Sequence, residues 1–460
     1  MTSKLLRTLR DSSTARWAVL LFLALPMFAS YFFDDIFSTI SHIFQHPEML
    51  DLGWSSGDYG FFKGSYSLLC VWGGLVICGM LLDRWGVKVT GSIFVGLMAF
   101  GALLITYAVS ASFNESSLNQ SLLQYFEKPS VWLACIGCAL FGLGSEIAGV
   151  VVNRSIARWF KGKEMALAMG VQLALARLGT ALAMVIMPQV VALQGYIPYS
   201  ETSKPAYIGI SIIMLGLIVW AMFVAMDIKL DKQLSASSEN ENLQVAKEDR
   251  FKFSDVVKVL TNREFVLISL LCVFFYCCII SFRKFATSII MPRFDIGSET
   301  ASFMVAMIPF FTLIFAPLFG AMVDRIGKGT KIMVLGSVLV LIAHLTIAFA
   351  PGVPVFGFVG IGMLGLGYSL VPAAMWPSIP KIVPEKNLGT AFSLMYWIQN
   401  MGMMMVPVFV GKIIDNTRNP INAEYLFIAL AVVAIFLAFL LSKVADGKPE
   451  LGLDDKVLKG

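Results

Sequence analysis

Two opposite charges sit where charge is costly. Glu146 and Arg177 lie inside long apolar runs of a 460-residue chain that is 57% hydrophobic and 14% charged. A carboxylate can hold an ammonium, and a guanidinium fork can grip a carboxylate through two parallel hydrogen bonds. A zwitterion offers both ends at once. The polar turn between the two runs is centred near residue 161.5, so both side chains lie equally far from it along the chain. If the runs are antiparallel helices rising about 1.5 Å per residue, both charges reach one depth, roughly 18 Å beyond the turn. That is close to the middle of a bilayer core about 30 Å thick, where an ionisable residue is a functional hypothesis by default. The bland alternative is a structural ion pair in which each simply neutralises the other.

Further polar groups fall within the apolar runs. Asn153 follows Glu146 by two helical turns and shares its face. Gln399 and Asn400 add neutral hydrogen-bonding groups, and Tyr31, Tyr368, Trp376, Tyr396 and Trp397 are aromatics able to line the same space. Asp34 and Asp35 end the first apolar run, either as a cation-attracting mouth, as proton carriers or as solvated helix-end charges. Arg283 and Lys284 end another run and read as snorkelling to the membrane interface. His344 reads as a hydrogen-bonded packing residue. The seven cysteines all lie in apolar runs and read as small hydrophobes; Cys135 and Cys138 form a CxxC with no second pair or nearby histidine to complete a metal set. No P-loop, HExxH or nucleophile-elbow spacing is present, so neither an enzyme nor an ATP-driven pump is expected, and no cofactor or metal is called for.

These residues must be positioned by membrane-spanning helices. The composition excludes both an ordinary soluble domain and a disordered chain. Apolar runs of spanning length fall at about 17–37, 59–82, 88–110, 131–153, 164–193, 205–227, 263–283, 299–322, 331–350, 354–377, 387–414 and 424–443. The expected architecture is all-α, with twelve transmembrane helices in two pseudo-symmetric six-helix bundles. Residues 1–227 form the first bundle, 228–262 a polar cytoplasmic linker, 263–443 the second bundle and 444–460 a cytoplasmic tail. One side of this topology collects 26 of the 35 Lys and Arg residues, which places both termini in the cytoplasm. The net charge of +5 reflects that bias and calls for no nucleic-acid partner.

An internal repeat supports two halves. Gly79-Met-Leu-Leu-Asp83-Arg84-Trp-Gly86 recurs as Gly320-Ala-Met-Val-Asp324-Arg325-Ile-Gly327, while Gly142-Leu-Gly144 recurs as Gly365-Leu-Gly367. In the second register Arg177 is matched by Asn400, and Asn153 by Trp376. The offsets differ by 18 residues, close to the extra length of the loop 111–130 over the loop 351–353. Repeated halves with a substrate site between them at the midplane are a known transporter plan.

The doubled GxxxDRxG turn resembles the signature loop of the major facilitator superfamily, and the resemblance implies that Asp83, Arg84, Asp324 and Arg325 latch neighbouring helix ends. Trp159-Phe-Lys-Gly-Lys-Glu164, Gly170-Val-Gln172 with Arg177-Leu-Gly179, and Leu388-Gly389-Thr390-Ala391 with Ile398-Gln399-Asn400 are closer to one branch, the lysosomal dipeptide uniporters. Ser30-Tyr31-Phe32, Asp35, Gly144-Ser145-Glu146, Asn153 and Met375-Trp376-Pro377 fit the same pattern. The matches run from the first span to the eleventh. They imply a facilitative or secondary transporter of dipeptides or similar small zwitterions, working by alternating access as a monomer in the lipid bilayer, with Glu146 and Arg177 holding the two substrate termini. Asp35 rather than Asp34 falls on the pattern. The short tails lack the acidic, dileucine-bearing N-terminus of the lysosomal proteins, and point to a bacterial relative in the inner (plasma) membrane. Organic-anion exchange of the oxalate–formate type would use Arg177 but is burdened by Glu146; drug export does not need Arg177; a non-transporting receptor would leave both latch motifs idle. Protons remain a candidate co-substrate, although a mid-span acid with an arginine to neutralise it favours simple facilitation.

Overall fold

The computed structural model describes residues 8–160, 165–191, 195–236, 253–384 and 388–456. Among them, eleven helices are long and apolar enough to cross a membrane. Helices dominate because the bilayer core offers no water to backbone N–H and C=O groups, so each span must satisfy its own. The long elements are α1 (Ser13–Asp35), α2 (Ser56–Ser65), α3 (Leu75–Ala108), α4 (Pro129–Trp159), α5 (Met165–Val190), α6 (Tyr199–Ala236), α7 (Arg263–Tyr276), α8 (Phe282–Phe294), α9 (Ser298–Ile326), α10 (Gly329–Phe349), α11 (Pro354–Ile382), α12 (Leu388–Thr417) and α13 (Ala423–Gly447). In the first half α1 packs on α5 and α6, and α3 on α4; in the second, α10 packs on α11 and α13, and α9 on α11.

The twelfth span is the second one, and it is broken. The sequence reads as a single run over 59–82, yet α2 stops at Ser65, turns at Tyr66 and Ser67, and resumes through a π-helical segment, Cys70–Gly74, into α3. Gly73 adopts φ +94, a conformation that a side chain would strain. Such irregular backbone is tolerated at membrane depth only where protein or a cavity takes its freed groups. Here the Val71 carbonyl accepts from Trp397 Nε1 of the other half at 2.7 Å. The third span then continues α3 beyond a kink at Gly86.

Three other boundaries move. The first span does not end in solvent after its acidic doublet; a buried 3-10 segment, Ser38–Gln45, carries the chain on. The seventh span reaches Phe294 rather than 283, because a π segment at Cys277–Ser281 joins α7 to α8. Helix α6 runs past 227 to Ala236; of the expected linker, 237–252 lies outside the described residues.

Among the described residues, hydrogen bonds and ion pairs between the halves join 34–71 of the first to 283–288 and 397–415 of the second, at mid-depth or at the end remote from both termini. Ser41, Thr287 and Ser288 bond through their hydroxyls across that interface, and Gly57 N donates to Asp415 Oδ2 at 2.7 Å. Helices α2 and α12 meet backbone to backbone: a Cβ at Gly60 would strike the Pro407 carbonyl, and one at Gly411 the Ser56 carbonyl. Small residues permit this approach, which supplies van der Waals packing where no hydrophobic drive exists. Gly411→Leu is therefore expected to part the two helices. A cysteine placed at Ser41, 1% exposed, should react with a membrane-impermeant maleimide at least tenfold faster in that variant; unchanged labelling would mean the contact does not close this end.

Candidate functional site

Glu146 stands near the middle of α4 and Arg177 near the middle of α5, both half-buried. They are not an ion pair: among the described residues no carboxylate lies within 4 Å of Arg177, and no cation within 4 Å of Glu146. Glu146 Oε1 instead accepts a hydrogen bond from the Tyr66 hydroxyl at 3.2 Å. The Arg177 guanidinium lies against two rings, 5.3 Å from Tyr31 of α1 and 5.5 Å from Tyr368 of α11, and its buried Nε has no hydrogen-bond partner. Cation–π contacts of this kind are worth about 0.5–2 kcal/mol. They hold the charge without consuming the fork. Tyr31, which faces Arg177, follows Ser30, whose hydroxyl lies 2.5 Å from that of Ser145 beside Glu146, so both charges border one space while each keeps its ionic valence free.

The second half supplies an aromatic wall. Trp376 donates its indole N–H to the Tyr276 hydroxyl at 3.0 Å and packs on Tyr396, ring centres 5.0 Å apart. Tyr276 meets Tyr368 edge to face at 5.8 Å, and the buried Tyr368 hydroxyl has no partner. Gln399 accepts from Cys272 Sγ at 3.4 Å. Asn400 is buried and ties the halves together: Ser67 Oγ donates to its Oδ1 at 2.6 Å, and its Nδ2 donates to the Tyr396 carbonyl. Asn153 is exposed, two turns from Glu146 toward the end that carries the termini. The Ser30 and Ser145 hydroxyls, 2.5 Å apart, lock α1 to α4 beside Tyr31 and Glu146.

Asp35 belongs to a different cluster, and there the snorkelling expectation fails. Arg283 and Lys284 are 3% and 5% exposed and turn inward, across the boundary between the halves. Arg283 Nη2 pairs with Asp35 Oδ2 at 3.0 Å, Lys284 Nζ with Asp35 Oδ1 at 2.8 Å and also with Asp34. Lys63 joins Asp34 Oδ1 at 3.3 Å, and Thr180 Oγ1 donates to Asp35 Oδ2 at 2.9 Å. These charges are enclosed because the chain continues past each doublet as buried helix. Sequence reasoning also missed Tyr66 and Tyr276. The signal for the ion cluster was available: an acidic doublet closes the first run and a basic doublet sits in the seventh.

Of the expected latch residues, Arg84 and Arg325 are exposed and Asp324 is half-buried, while the side chain of Asp83 lies outside the described residues, as do Lys161–Glu164 of the neighbouring motif. His344 is fully buried and its Nδ1 lies 2.8 Å from Glu424 Oε2, with Phe427 stacked on the ring.

Helix order and paired halves match a known family. A model of the Major Facilitator Superfamily matches residues 20–297 and 278–456. The chain belongs to this superfamily. Among curated proteins it is similar to the lysosomal dipeptide transporter MFSD1 of Danio rerio, 28% identical over 447 residues, covering 94% of this chain and 88% of the relative. The Mus musculus protein of that name is 27% identical over 400 residues, covering 85% and 78%. Among solved structures the fold is that of the nucleoside transporter NupG (TM-score 0.65, 14% identity, 92% of this chain and 98% of that one). It is likewise that of a bacterial homologue of the human lysosomal transporter Spinster, captured inward-facing and unoccupied (TM-score 0.63, 15% identity, 94% and 98%). The protein is thus an integral membrane transporter of the superfamily, and not an enzyme.

The ion cluster makes a quantitative demand. Deleting one partner of a buried pair typically costs about 3–5 kcal/mol, because the other charge is left uncompensated. Asp35→Asn is expected to lower the melting temperature of the purified protein clearly, and Asp35→Asn combined with Lys284→Met to recover much of the loss. Equal destabilisation by the single and double variants would deny the coupling.

Proposed function

We propose that this transporter carries free dipeptides, Glu146 receiving the ammonium terminus and Arg177 the carboxylate. The reading rests on one observation above the others: two opposite charges at mid-span share a space yet leave each other unpaired. A structural ion pair would have brought them together. An organic-anion site would have no use for an unpaired carboxylate beside its arginine. The names of the curated relatives point the same way. The aromatic wall of Tyr276, Trp376 and Tyr396 provides apolar surface for varied substrate side chains, while the termini supply the recognition common to all dipeptides.

Basic residues crowd the end that carries the termini, so we place that end in the cytoplasm. The bonded end is then the outer one, closed here, and the two halves, 1–227 and 263–443, alternate about the site. The expectation of transport without protons had leaned on an arginine neutralising Glu146. That premise is gone, since Glu146 bonds to a neutral phenol.

Losing one charged contact to a ligand terminus costs about 2–5 kcal/mol, so Glu146→Gln and Arg177→Ala are each expected to weaken alanyl-alanine binding at least roughly thirtyfold. N-acetylated alanyl-alanine should be indifferent to Glu146→Gln, and alanyl-alanine amide indifferent to Arg177→Ala. Calorimetric titration of the purified protein reads all four combinations. Blocked ligands that bind as tightly as the free dipeptide would refute the clamp.

A further inference from the structure

The inter-half ion cluster does more than a lock requires. Its acids and bases are segregated: Asp34 and Asp35 stand on the first half, Arg283 and Lys284 on the second. Lys63 stays with Asp34 on the first half in either state, since both belong to that bundle. When the halves part at this end, one wall of the opening vestibule keeps an excess of carboxylate and the other carries two uncompensated cations. Arg283 already holds a spare donor, its buried Nε having no partner even in the closed form. Both walls then need counter-charge in a partly dehydrated space, where exposed pairs have been broken and water alone replaces them.

We infer that the Asp34–Asp35 and Arg283–Lys284 walls form a second substrate-binding station at the outer mouth, specific for zwitterions, whose two ends replace the ion pairs that opening breaks. The ammonium settles on Asp34 and Asp35, and the carboxylate on Arg283 and Lys284. A ligand shifts a conformational equilibrium only by its differential affinity for the two states. A zwitterion has that differential affinity here: it bonds to the parted walls, whereas in the closed form each wall occupies the other. A singly charged or neutral solute leaves one wall bare. This inference rests on the dipeptide reading and on closure at this end, and it adds a selection step ahead of the Glu146–Arg177 clamp.

A lock and a binding station make opposite predictions, which gives the test. Neutralising a pure lock raises the population of the open form, so every ligand arriving from that side gains apparent affinity alike. Removing a carboxylate station instead penalises only ligands that carry a carboxylate. The experiment uses the full chain in liposomes of uniform orientation, with Arg283→Gln, Lys284→Gln and the double variant, and compares uptake KM for alanyl-alanine and alanyl-alanine amide from each side. Spin labels at Glu48 and Asn416, both exposed on the bonded end and on opposite halves, report opening. The expected result is that the preference for the free dipeptide over the amide falls at least tenfold from the outer side only. The preference from the cytoplasmic side should hold, and Arg283→Lys with Lys284→Arg should restore the outer one. Equal KM changes for both ligands, or equal changes from both sides, would overturn the station even if the spin labels show opening. Failure of the dipeptide reading itself looks different, since the parent protein would then show no preference for the free dipeptide from either side.

Discussion

Charge that cannot reach water must meet opposite charge, and this constraint shapes the molecule from its first helix onward. The carboxylates of Asp34 and Asp35 are answered from 250 residues away in sequence by Arg283 and Lys284, with Thr180 of α5 adding a neutral donor. That network fixes α1 against α8 and closes one end. It also sets the central site, because Tyr31 lies one helical turn before Asp35 on the same face of α1, and Tyr31 is a ring that rests on Arg177. On the other side, Tyr276 lies just before the π segment that turns Arg283 and Lys284 inward. Closure and site geometry are thus mechanically one arrangement.

The central pair is held apart by neutral partners. Tyr66 takes Glu146 and two rings take Arg177, so neither charge is spent. Tyr66 reaches Glu146 because the second span breaks there. The same break presents the Val71 carbonyl to Trp397 and the Ser67 hydroxyl to Asn400, so irregular backbone and inter-half contact coincide. The regular spans α1, α4, α5 and α11 carry Tyr31, Glu146, Arg177, Tyr368 and Trp376, and the irregular stretches at 66–74 and 277–281 bring in Tyr66 and Tyr276.

Much of this was legible in the sequence. Apolar run lengths located the spans, eleven of which are helical stretches long enough to cross a membrane, and the repeat pointed to two halves, since both follow from one-dimensional patterns. Residue spacing from a turn led to the expectation of a common depth for Glu146 and Arg177. Spacing along a helix fixes depth but not the direction in which a side chain points across the bundle, so it did not reveal that the two stay unpaired. The break in the second span carries no proline, and the groups that take up its irregular backbone and hydroxyl, Trp397 on the Val71 carbonyl and Asn400 on Ser67, come from α12, far away in sequence. Arg283 and Lys284 were misread for a similar reason: a charge at the end of an apolar run looks solvated until the chain beyond it is seen to continue as buried helix.

The central claim is that the protein recognises both ends of a free dipeptide. The most direct measurement is the melting temperature of the purified chain with alanyl-alanine, alanine, acetate, glucose and a nucleoside, each at the same high concentration, since a ligand that binds only the folded state stabilises it by mass action. Recognition of both termini predicts a clear rise with alanyl-alanine, and with acetate, glucose or the nucleoside no rise of comparable size. Stabilisation by acetate equal to that by the dipeptide, or by the sugar or nucleoside in place of it, would contradict recognition of both termini.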